Sequence, residues 1–143
     1  SDDELFYFLF DITNGSPGLA FDYNFDKILE IFNHLVLSLN QNLEFSALNN
    51  DLINLFSKFD DDKFRIYLSL VKFTLIIFKK IKMGIDIKKY YLSKNILDIR
   101  KYSDKINEHN INNKLDYLIN NENDLFTFNL DKKNFMINFF SEK

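Results

Sequence analysis

The sequence predicts an all-α fold, a helical array of seven or eight elements joined by short connections. Three observations predict it. Apolar residues recur at three- and four-residue steps along most of the chain, the spacing that lines one face of a helix. Backbone breakers are scarce, with one proline and three glycines in 143 residues, so long runs can stay helical. Acids, amides and lysines cluster where those runs begin and end. At this length one domain is expected, with a core that needs no covalent staples.

Asp2, Asp3 and Glu4 stand where acids favour a helix start. They lead into LFYFLFDI over 5–12, which is apolar all round and is expected to be buried or packed against a neighbour. ITNGSPGLAF over 12–21 is the sharpest break in the chain. Gly15 can take positive φ and close one helix. Ser16 can cap the next, with Pro17 at its first position, where a missing N–H costs nothing. A short helix over 17–23 follows.

The next helix spans 25–41, with Phe25, Ile28, Leu29, Phe32, Leu35, Val36 and Leu39 on one side. Residues 46–59 read as a helix with Leu48, Leu52, Ile53, Leu55, Phe56 and Phe59 inward and Ser46 or Asn49 as its cap. Residues 62–83 have the strongest helix grammar. Asp60, Asp61 and Asp62 crowd the start, Lys79, Lys80 and Lys82 crowd the end, and Gly84 stops it. This helix is expected to be central and the most buried. Residues 85–91 read as a loop. Residues 93–108 and 111–128 read as helices, the second carrying Ile111, Leu115, Tyr117, Leu118, Ile119, Leu125 and Phe126. Asn129, Leu130 and Asp131 form a short break with Asp131 as a cap. The last helix, 132–141, turns Phe135, Met136, Phe139 and Phe140 inward.

Composition narrows the chemistry. The chain has no cysteine, which excludes disulfides and thiolate metal sites. Its net charge of −3 argues against a dedicated nucleic-acid-binding module. The one basic cluster is Lys79, Lys80, Lys82, Lys88, Lys89 and Lys94, and it reads as a helix end plus a solvated loop. The longest apolar run, 67–78, is broken by Lys72 and is too short to span a bilayer. The chain opens without methionine, as a piece of a longer protein would.

No catalytic constellation emerges. His34 and His109 lie far apart and outside any ligand spacing. Asp60, Asp61 and Asp62 lack the glycine and terminal glutamate of a calcium loop. Asp22, Asp26 and Glu30 recur at four-residue steps and read as solvated surface charge. There is no GxxxxGK[ST] loop, no dinucleotide fingerprint and no nucleophile elbow. Residue chemistry alone indicates an interaction module without cofactor or metal.

Two stretches resemble a known family. ITNGSPGLAF resembles the GSPGRA segment near the end of the lid in bacterial clamp-loader subunits of the delta-prime type, AAA+-like proteins of the DNA polymerase III holoenzyme. NLDKKNFMINFF, 129–140, resembles the NLDRKQ segment that opens the family's final helix. The positions carrying the resemblance are Gly15, Ser16, Pro17, Gly18 and Leu19, then Asn129, Leu130, Asp131, Lys132 and Lys133. Two departures stand out. Leu19 replaces the family's arginine, and an aliphatic group cannot pair with phosphate. Lys132-Lys133-Asn134 stands for Arg-Lys-Gln.

The resemblance implies that residues 1–24 are the end of a lid and 25–143 a C-terminal collar domain. Such collars assemble clamp-loader subunits into a pentamer that places the sliding clamp on primed DNA in the bacterial cytoplasm. The implied partners are the tau/gamma and delta subunits, with DNA and clamp touched only indirectly. The implied role is assembly without ATP hydrolysis, catalysis, cofactor, metal or membrane. The alternative is an unrelated helical adaptor offering an apolar groove to a partner helix.

Overall fold

The computed structural model describes residues 25–40, 47–85 and 106–142. They form five helices: α1, Phe25–Asn40; α2, Ala47–Ser57; α3, Asp61–Lys82; α4, Glu108–Thr127; and α5, Lys132–Ser141. No strand occurs among the described residues, so the all-α expectation holds. The expected helices over 5–12 and 17–23 lie outside them, as do Gly15, Ser16, Pro17, Gly18 and Leu19; of the expected loop over 85–91 only Ile85 is described, and of the expected helix over 93–108 only 106–108.

The helix ends are set by local chemistry. Asp60 has an extended backbone and its carboxylate accepts from the Lys63 N–H at 2.8 Å, capping α3. Asp61 and Asp62 fill the first turn of α3 and Lys79, Lys80 and Lys82 the last, so both ends complement the helix dipole. At the far end Gly84 adopts φ 73°. Its N–H donates to the Ile81 carbonyl at 3.0 Å, and the Ile85 N–H reaches back to the Lys80 carbonyl at 2.9 Å. That pair of bonds is a Schellman turn. Asn107 caps α4 through its side chain, which accepts from the His109 N–H at 2.7 Å. Glu108 therefore opens α4 rather than closing an earlier helix. Asp131 caps α5, accepting from the Asn134 N–H at 2.9 Å.

The helices pack in a closed cycle: α1 on α2, α2 on α5, α5 on α4, α4 on α3, and α3 back on α1. α3 has the longest set of buried residues, as expected, from Phe64 through Phe78. Phe64 is fully buried and ties the cycle together. Its ring meets Phe56 of α2 at 6.0 Å, Phe126 of α4 at 6.0 Å and Phe135 of α5 at 6.1 Å, all edge-on. Edge-to-face pairs place ring hydrogens against a neighbour's electron-rich face, adding about 0.5–1.5 kcal/mol each beyond area burial. Phe59 and Tyr67 stack at 4.6 Å beside this group.

Three uncharged polar side chains, Ser38, Asn49 and Thr74, enter the core and hydrogen-bond there. The Thr74 hydroxyl donates to the Leu70 carbonyl one turn back, at 2.8 Å. The Ser38 hydroxyl of α1 donates to the Asn49 side-chain oxygen of α2. Asn49 is thus not a helix cap. It shares a face with Leu52, Ile53 and Phe56, at three-, four- and seven-residue steps, and is buried with them.

Candidate functional site: the joint between α4 and α5

The segment Asn129–Lys133 is a stop and restart. The Phe128 N–H donates to the Asp124 carbonyl at 3.0 Å, closing α4. Asn129 then takes φ 49°, the left-handed conformation that asparagine tolerates better than most residues. The Leu130 N–H returns to the Leu125 carbonyl at 2.9 Å. Asp131 caps the new helix. Lys132 ties the joint to the start of α3: its ammonium lies 2.8 Å from the Asp61 carboxylate and 5.9 Å from the centre of the Phe64 ring. Lys133 is exposed. Phe128 and Leu130 are also exposed, at 67% and 50%. Phe128 falls just past the end of α4, so the helix periodicity that would bury it no longer applies.

Behind the joint runs a polar seam between α4 and α5. Lys114 is 8% exposed. Its ammonium donates to the carbonyls of Phe139 at 2.9 Å, Phe140 at 3.3 Å and Glu142 at 2.7 Å. The Phe140 and Glu142 carbonyls lie at the C-terminal end of α5, where intrahelical donors run out and the helix dipole is negative, and the Phe139 carbonyl also accepts from the Glu142 N–H at 3.2 Å. Burial pushes the Lys114 amine down to about 8, and the Glu142 carboxylate opposes that shift. The Tyr117 hydroxyl, one turn along α4, donates to the Phe135 carbonyl at 2.8 Å. Burial and the Glu142 charge push it up to about 12, against a hydrogen bond from Asn138.

A buried lysine with a lowered pKa is also the signature of a catalytic amine. Here three carbonyls occupy its three hydrogens, leaving none for a substrate. The seam anchors α5 against α4. Sequence reasoning passed over Lys114. Its signal was position: it follows Ile111 by three residues and precedes Leu118 by four, squarely on the apolar stripe.

The other candidates resolve individually. Asp60 is a cap, and Asp61 and Asp62 lie in the first turn of α3. Asp26 and Glu30 are exposed on α1, with Lys27 Nζ 3.6 Å from Glu30. His109 is exposed, its ring nitrogen 3.1 Å from the Asn113 amide. Lys79, Lys80 and Lys82 end α3, while Lys88, Lys89 and Lys94 lie outside the described residues. Among the described residues no group of three His, Cys, Asp or Glu could hold a metal. No described helix is long and apolar enough to cross a membrane.

No family model, curated protein or solved structure matches the chain.

Proposed function

We propose that the chain is an assembly domain of a clamp-loader subunit of the delta-prime type, joining tau/gamma and delta subunits in the pentamer that loads the sliding clamp. Its part is structural, with catalysis and nucleotide handling lying elsewhere in the complex. The observation that carries the reading is the joint at Asn129–Lys133. The stretch resembling the family's NLDRKQ segment opens the final helix of this array, the place that segment occupies in the family. The all-helical array over 25–142 supports the same reading.

The test is association. The chain, mixed at micromolar concentration with the tau/gamma and delta subunits, is expected to co-elute with them on size-exclusion chromatography. Separate elution of all three would overturn the proposal. An unrelated helical adaptor is the second reading, favoured by the exposed apolar residues Ile76 and Ile119 on the α3–α4 pair. It predicts binding to a partner helix and no affinity for clamp-loader subunits.

A further inference from the structure

We propose that the outer strip of the α3–α4 pair is a docking surface for an acidic amphipathic helix of a partner protein. The inference goes beyond the clamp-loader reading and does not depend on it.

Two contacts set the register of the pair. The Arg65 guanidinium lies 3.8 Å from the centre of the Phe126 ring. Seven residues further along α3, the Lys72 ammonium is 2.7 Å from the Glu122 carboxylate, four residues back along α4. The helices therefore run antiparallel. One more step, four residues on α3 and three on α4, brings Ile76 level with Ile119. Both lie on the strip and both face solvent, at 41% and 68% exposure. Met83 continues the α3 side seven residues later and is 58% exposed. From Arg65 to Met83 the strip is about 27 Å long at 1.5 Å per residue, the length of an 18-residue helix.

Charge identifies the occupant. Lys72 and Glu122 neutralise one another. Arg65, Lys79 and Lys80 take part in no ion pair among the described residues. Against Asp116, exposed one step before Ile119 on α4, these three cations leave the strip net positive beside its apolar centre, on a chain whose net charge is −3. A phosphate backbone would use the cations but leave both isoleucines wet. A helix with leucines along one face and glutamates flanking them satisfies both, as helix-in-groove recognition requires.

The probe is an 18-residue capped peptide of that pattern, labelled and titrated with the full 143-residue chain at low salt. Its scrambled isomer and its lysine-for-glutamate twin are the controls. Saturable binding is expected, weakened at least tenfold by Ile119→Glu and by Lys79→Glu/Lys80→Glu. Ile119→Glu falls on the surface, whereas Lys79→Glu/Lys80→Glu reverses charge at the C-terminal end of α3, so each variant is titrated well below its own melting temperature, with an unchanged far-ultraviolet circular dichroism spectrum verifying the fold. Equal binding of the scrambled peptide or the lysine twin would overturn the proposal, as would indifference to both variants. Absence of binding at millimolar peptide does the same. Displacement of the peptide by single-stranded DNA would reassign the strip to phosphate. Concentration-dependent self-association abolished by Ile119→Glu would reassign it to a second copy.

Discussion

The Lys114 ammonium on α4 lies 2.7 Å from the main-chain oxygen of Glu142, twenty-eight residues further along the chain. With the Phe139 and Phe140 carbonyls it makes a side-chain cap that α5 cannot supply for itself. Lys114→Ala removes the cap and takes this donor from the Phe140 and Glu142 carbonyls, while the Phe139 carbonyl keeps the Glu142 N–H. The substitution is expected to cost about 2–4 kcal/mol, because each orphaned buried group carries its own desolvation penalty. Urea denaturation at neutral pH measures it. Lys114→Met keeps the packed stem and should cost less.

The same residue makes stability depend on alkaline pH. Unfolded, the Lys114 amine titrates near 10.5; folded, near 8. Between those values unfolding takes up a proton, so this residue makes stability rise with pH across that window. The full shift corresponds to about 3 kcal/mol. Tyr117 acts in the opposite sense. Its folded value of about 12 lies above the ordinary 10, so its contribution is lost as pH rises from 10 to 12. Denaturation of the parent chain and Lys114→Met across pH 7–11 tests this. The parent's advantage should widen between pH 8 and 10.5, and a constant difference would refute the assignment.

Phe64 meets rings on three other helices. Phe64→Ala is expected to cost about 3–5 kcal/mol, since the surrounding rings cannot all collapse into the cavity. Lys132→Ala, which removes the ammonium near the same ring and its partly exposed ion pair with Asp61, should cost about 1 kcal/mol. Melting curves of the two variants should separate clearly.

The two left-handed residues among the described ones give a matched pair. A Cβ built on Gly84 meets nothing within 4 Å, so Gly84→Ala tests backbone conformation alone. It should cost about 1 kcal/mol. Asn129→Gly should be neutral or slightly stabilising, while Asn129→Val should cost about 1–2 kcal/mol because branching at Cβ opposes positive φ. Chemical denaturation resolves all three.

Much of the fold was legible before any packing was known. Asp131 as a cap, the span Lys132–Ser141 and the stop at Gly84 follow from residues within one turn of each other. Asn49 misled because asparagine favours caps, and only its burial against Ser38 shows the other use. Helix periodicity groups Ile119 with its apolar neighbours, yet it sits one residue beyond the inward stripe marked by Leu118 and is mostly exposed. Lys114 went unnoticed because its acceptors are 25 to 28 residues away.

The sequence by itself determined that the described chain is helical and where several helices stop. Caps, glycines, acids and lysines act on backbone groups a few residues distant, and those interactions exist in any isolated turn. Only the tertiary structure decided which helices adjoin and what the joint at Asn129–Lys133 holds together. The Lys114 anchor forms only when α5 folds back antiparallel on α4, and Phe64 finds its three partner rings only once four helices have met.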